Sequence, residues 1–132
     1  GEANFLKAKL GKNGDRSSLI VDEVILQTTE TSYHEGQAVV AAIRPEFIDI
    51  GREKSDGENV LECKVENATF MGSVIRYDTR ISRNLVVTVK YPVCYSDLDL
   101  SPGDTAFLHI PSDRILVYPT PEHGLEREIQ LE

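Results

Sequence analysis

The chain has 132 residues, 40% hydrophobic and 27% charged, with a formal net charge of −8. That length allows one compact domain, or two very small ones sharing a core. No apolar run approaches the roughly 18 residues of a membrane-crossing helix, and the first residues lack the basic and apolar stretches of a signal peptide. Residues 1–58 and 59–132 each hold seven Lys/Arg against eleven Asp/Glu, so neither half offers the positive stripe that nucleic acid requires. Cys63 and Cys94 cannot make a disulfide framework and have no metal-binding spacing. That usage favours a reducing, cytoplasmic setting. Strand-like text starts at once without an initiator Met, which reads as a piece of a longer protein.

In chain order, strands are expected over residues 4–10, 18–22, 24–28, 38–43, 47–50, 60–69, 75–81, 85–91, 105–110 and 115–118. The alternation is clearest where Ile75, Tyr77, Thr79 and Ile81 face one way and Arg76, Asp78 and Arg80 the other. Asn13-Gly14 suits a two-residue hairpin, and Ser101-Pro102-Gly103-Asp104 suits a turn with Pro and Gly at its centre. Residues 51–58, rich in Gly, Ser and charge, read as a joint. After Pro121-Glu122, Leu125 and Ile129 stand four apart, the spacing of a short C-terminal helix, although Leu131-Glu132 also reads as a cloning remnant. Ten short strands with little helix make the chain all-β.

An internal repeat organises those strands. The run from Gly36 to Pro45 parallels the run from Gly103 to Pro111: a Gly-polar turn, an apolar strand ending in Ile, a Pro, and a second strand. Asn4-Phe5-Leu6-Lys7-Ala8-Lys9-Leu10 likewise parallels Asn59-Val60-Leu61-Glu62-Cys63-Lys64-Val65. The offset is 55 residues at the openings and 67 at the Gly turns. The second unit therefore carries extra residues, expected around 70–72 and 93–100. Five strands per unit suggest two stacked, partly open barrels of the OB type, over 1–58 and 59–120, followed by a tail at 121–132.

Few motifs carry chemistry. Gly11-Lys12-Asn13-Gly14 lacks the Ser or Thr after Lys and the strand-to-helix setting of a phosphate loop, and reads as a hairpin turn. His34, His109 and His123 are scattered, so no metal site is expected. No Ser-centred elbow exists, and Cys63 lies in a strand pattern as a buried thiol. No catalytic residue is named. Pro45 forces Arg44 into an extended conformation and ends the strand, so Arg44 and Glu46 project from a rigid corner. They either pair locally or dock another surface. Phe70-Met71-Gly72-Ser73 is either strand-edge packing or a loop that touches a ligand or partner.

Taken in order, Gly1-Glu2-Ala3-Asn4-Phe5-Leu6, Ile43-Arg44-Pro45-Glu46, Thr69-Phe70-Met71-Gly72-Ser73 and Leu100-Ser101-Pro102-Gly103-Asp104 resemble the C-terminal TOBE-type regulatory region of importer ABC ATPases. The opening and Ser73-Val74-Ile75-Arg76-Tyr77 look most like the spermidine/putrescine type. The resemblance implies a non-catalytic module that helps two ATPase subunits dimerise and in some members senses substrate. ATP and Mg would be held by a separate ATPase domain, with no cofactor here. Its implied partners are a second subunit, the ATPase domain and membrane permease subunits, at the inner face of the cell membrane. By motif position, Arg44, Glu46, Phe70, Gly72 and Ser73 are the interface or regulatory residues. A free-standing binder of an oxyanion or a polyamine is the alternative.

Overall fold

The computed structural model describes residues 2–30, 32–94 and 97–121. Ten strands follow one another: β1 (Asn4–Asn13), β2 (Arg16–Val21), β3 (Val24–Thr28), β4 (Ala38–Ile43), β5 (Asp49–Gly51), β6 (Val60–Phe70), β7 (Val74–Ser82), β8 (Leu85–Pro92), β9 (Thr105–His109) and β10 (Leu116–Pro119). Short 3-10 turns at Pro45–Phe47 and Ser112–Arg114 make two corners. The chain is all-β, as its alternation predicts, and the expected C-terminal helix with Leu131-Glu132 falls outside the described residues.

The strands form two five-stranded antiparallel sheets, β10-β4-β1-β2-β3 and β5-β9-β6-β7-β8. Each half of the sequence builds four strands of its own sheet and lends its fifth to the other. After β4 the first corner carries the chain across, so β5 lies along β9. After β9 the second corner carries it back, so β10 lies along β4. The corners also meet the far edges: the first packs on β8 and the second on β3, which curls each sheet towards a barrel. Leu10, Leu19, Leu26, Val39 and Ile43 from one sheet share a single core with Val65, Tyr77, Val87, Leu108 and Ile110 from the other.

The repeat appears atom for atom at the Gly turns. Gly36 N–H donates to Leu10 O at 2.7 Å and Leu10 N–H to Gln37 O at 2.9 Å, while Gly103 N–H donates to Val65 O at 2.8 Å and Val65 N–H to Asp104 O at 2.9 Å. Both glycines have positive φ, +82° and +97°, a region where a side chain would be strained. Asp104 N–H closes on Ser101 O at 3.0 Å, giving the Pro-Gly turn read from sequence. The extra residues of the second unit fall in the β6–β7 hairpin and the β8–β9 loop, where they are expected.

Two expectations shift. The first hairpin pairs Asn13 with Arg16, so Gly14-Asp15, not Asn13-Gly14, is its two-residue loop, with Gly14 at φ +65°. Gly at the first central position fits the twist that joins such strands. Phe47 belongs to the first corner rather than to a strand, because Pro45 starts an i→i+3 turn in which Phe47 N–H donates to Arg44 O at 3.0 Å.

Candidate functional site

Both corners lie where the chain changes sheets, and repeat alignment makes Phe47 and Arg114 equivalent residues. They stack on each other, with the Arg114 guanidinium 4.5 Å from the centre of the Phe47 ring. Neither residue signals this alone, since one is aromatic and the other a cation. Arg44 has φ −73° and ψ 134°, the extended conformation that Pro45 demands. Arg44 and Glu46 are exposed and form no ion pair with each other, so the local pairing read from their spacing is absent.

Phe70, Gly72 and Ser73 lie elsewhere, at the end of the β6–β7 hairpin. Every residue from Glu66 to Ser73 is exposed, Phe70 at 69% and Met71 at 49%. Strand-edge packing therefore does not account for these two side chains. Met71 N–H donates to Val74 O at 2.8 Å, and Val93 N–H to Ser73 O at 2.9 Å. Gly72 holds φ +87°. Among the described residues no hydrogen bond or ion pair joins the corner group to the hairpin group.

Two buried asparagines tie the halves together near these corners. Asn4 Nδ2 donates to Ile43 O at 3.2 Å and Thr88 O at 2.9 Å, and its Oδ1 accepts from Thr88 N–H at 2.8 Å. Asn59 Nδ2 donates to Ile110 O at 2.9 Å and Gln27 O at 2.8 Å, and its Oδ1 accepts from Gln27 N–H at 2.7 Å. Each side chain thus stands in for one residue of a neighbouring strand along an edge, β8 or β3, of the other half. Edges so occupied are poor templates for further pairing. The sequence signals the asparagines as equivalent, but not their backbone partners.

Most cations on the outward face of the second sheet are committed. Glu2 bridges Arg76 at 2.8 Å and Lys90 at 3.3 Å, Arg76 also meets Asp78 at 3.3 Å, and Arg80 grips Glu66 at 2.6 Å. His109 Nδ1 lies 3.2 Å from Asp49 Oδ2 across β9 and β5. No group of three or more metal-ligating side chains occurs among the described residues.

A shallow cavity of about 300 Å³ opens at the seam between the end of β3 and β10, lined by Thr29, Glu30, Asp113, Leu116 and Tyr118 among others. Its charged lining is two carboxylates, with no Lys or Arg. Ser32 N–H donates to Glu30 Oε1 at 2.8 Å and orients that carboxylate, and Tyr33 Oη donates to Val117 O at 3.2 Å on the free edge of β10. The arrangement favours a positively charged or hydrogen-bond-donating guest and disfavours an anion.

Cys63 is a buried free thiol. Burial pushes its thiol from 9.0 up to about 11, only partly offset by a hydrogen bond with Thr79. Folding holds this proton more tightly than the unfolded chain does, so its stabilising effect is full below 9.0 and fades as pH rises towards about 11. Iodoacetamide at about pH 8 is expected to label exposed Cys94 and to spare Cys63 until the chain unfolds. Equal labelling of both in intact protein would contradict this.

The TOBE domain family model matches residues 41–117, from the end of β4 through both corners to β10. The chain belongs to the TOBE domain family. No curated protein matches it at the level of sequence. Among solved structures it is similar to the cytoplasmic molybdate-binding protein ModG in a molybdate-bound form, at a TM-score of 0.75 and 14% identity, covering 88% of this chain and 95% of that one. At that identity the likeness shows the fold, two paired barrels over nearly the whole length. No helix among the described residues is long and apolar enough to cross a membrane.

Proposed function

We propose that this TOBE module is a non-catalytic, cytoplasmic binding domain for a small ligand, and that the ligand is a cation of the polyamine class. Paired barrels spanning the length of a known small-ligand binder support the kind of function. The observation that carries the sign of the ligand is the seam cavity, whose lining includes Glu30 and Asp113 and no Lys or Arg. ModG is described as binding molybdate, and the acidic lining here argues against that anion class. The primary amines of a polyamine could donate to both carboxylates while its methylenes lie against Leu116 and Tyr118.

Melting with a ligand panel tests this, because a ligand bound to the folded state stabilises it by about 2.7 kcal/mol at a hundredfold excess over Kd. Putrescine or spermidine is expected to raise Tm, with the rise lost in Glu30→Gln with Asp113→Asn. A rise with molybdate or sulfate and none with the amines would overturn the reading.

A second reading assigns the module to the ATPase subunit of an importer, as a regulatory and dimerisation domain beside permease subunits, with ATP and Mg held in a separate ATPase domain. The exposed Phe70 and Met71 favour it, since a projecting apolar tip suits contact with another protein. Arg44, Glu46, Phe70, Gly72 and Ser73 are then contact residues. Arg44→Ala with Glu46→Ala in the intact ATPase is expected to weaken dimerisation and ATP turnover. No change in either would sink this reading.

A further inference from the structure

The β6–β7 hairpin runs past the barrel. β9 pairs with β6 from Val60 to Lys64, and the Gly103-Asp104 turn closes on Val65. Beyond that point β6 pairs with β7 alone, from Asn67 to Phe70, so its other side is an open strand edge. The hydrogen bond from Met71 N–H to Val74 O fixes which groups lie on that edge. Bonded and non-bonded pairs alternate along an antiparallel ladder, so Ala68 and Phe70 turn their N–H and C=O groups away from β7. Both residues are exposed. Among the described residues no group pairs with theirs, unlike the edges of β8 and β3, which Asn4 and Asn59 fill.

The side chains of this tip suit a second copy of the chain. Residues 67–75 are the longest run in the sequence without Asp, Glu, Lys or Arg. On a chain of net charge −8, two copies meet with least repulsion at such a place. The equivalent hairpin of the first half carries Lys12, Asp15 and Arg16, so the fold does not require an uncharged tip. Charge on an edge is a common guard against pairing, and Glu66, the nearest charge on β6, is held by Arg80. The inward rows also continue beyond the barrel: Ala68, Tyr77 and Val89 stand in one and Phe70, Ile75 and Tyr91 in the next. Phe70 ends its row 69% exposed.

We infer that two copies of this chain associate tip to tip, β6 against β6, antiparallel about a two-fold axis at Thr69. In that register Ala68 lies opposite the partner's Phe70, and Phe70 opposite the partner's Ala68. The open N–H and C=O groups of the two edges then satisfy one another, and each large ring lies beside a small side chain. Thr69 meets the partner's Thr69 on the outward side, a favourable cross-strand pair. The same patch serves both copies, so assembly closes at two. The contact is small and therefore weak, giving a dimer that forms and dissociates with concentration. It needs neither a seam ligand nor an ATPase domain, and so is independent of both proposed functions.

Sedimentation of the whole chain over a roughly hundredfold range of concentration tests this. The parent is expected to pass reversibly from monomer to dimer, with the amides of Ala68, Thr69 and Phe70 shifting as it does. Ala68→Pro removes an edge donor from each copy without touching the β6–β7 ladder, and should weaken association roughly tenfold or more. Thr69→Lys sets like charges together at the axis and should weaken it similarly, as should Thr69→Glu. Mixing these two variants should restore the dimer, a rescue that requires residue 69 to face its own copy. Melting curves that match the parent's show that each variant is folded. A parent that stays monomeric throughout would overturn the inference and leave the tip to a different protein. A dimer that survives both Ala68→Pro and Thr69→Lys would also overturn it, because the copies would then meet elsewhere.

Discussion

Replacing Asn59 by alanine is expected to lower the unfolding free energy by about 4 kcal/mol. Its three hydrogen bonds serve Gln27 N–H, Gln27 C=O and Ile110 C=O. Removing the amide strands all three, and one buried unpaired polar group costs about 1–3 kcal/mol. Gln27 is half-buried, so water recovers part of its share, leaving about 3 kcal/mol. The rest is conformational. Asn59 holds φ +57°, where asparagine is tolerated and alanine adds roughly 1 kcal/mol. Asn59→Gly removes that strain but not the unpaired groups, and should be more stable than Asn59→Ala despite its greater unfolded entropy. Asn4→Ala loses the equivalent bonds without a positive φ, so it should fall between the parent and Asn59→Ala. Urea unfolding of the three variants decides it. Asn59→Ala within about 0.5 kcal/mol of the parent would mean that solvent replaces the amide and that Asn59 is no anchor.

These anchors also show what the sequence makes legible. Asn4 and Asn59 open parallel runs, Gly36 and Gly103 open parallel turns, and Ile43 and Ile110 end parallel strands, so the repeat and its strands can be read directly. The exchange of fifth strands cannot. Ile50 of β5 and Val117 of β10 both point into a core, and alternation looks the same whichever sheet a strand joins. Phe47 and Arg114 escape notice because equivalent residues of opposite chemistry stack only once the corners meet. The cavity joins Glu30 to Asp113 across a long stretch of chain, with no local pattern to announce it. Arg44 is legible as exposed, because Pro45 dictates a corner, whereas the sequence leaves Phe70 open between strand-edge packing and an exposed loop. What touches either of them is not legible.

Separating the chain within residues 51–58 should abolish folding of both pieces and restore it when they are mixed. Each piece then holds four strands of one sheet and a fifth whose place is in the other. At about 56 and 76 residues the pieces lie near the lower limit for a free-standing core, and each lacks the strand that covers its β4 or β9. A piece could compensate by pairing with its own copy, its spare strand filling the vacant place. The side chains oppose that route. In a pair of first pieces β5 would replace β10, retaining an inward Ile50 but setting Asp49 and Gly51 where Leu116 and Tyr118 now flank Ala42 and Val40. In a pair of second pieces the corner stack of Phe47 with Arg114 would become two guanidiniums face to face, and β10 would lay Leu116 beside His109 in place of Asp49. Only the mixture restores both the stack and the apolar rows. Circular dichroism and size exclusion should therefore show no cooperative melt for either piece, and one native-like melt at equal proportions. Either piece forming a stable dimer with a cooperative transition would refute the pairing argument. It would mean that the exchanged strands are interchangeable, and that backbone pairing and the inward residues outweigh the corner and the outward rows.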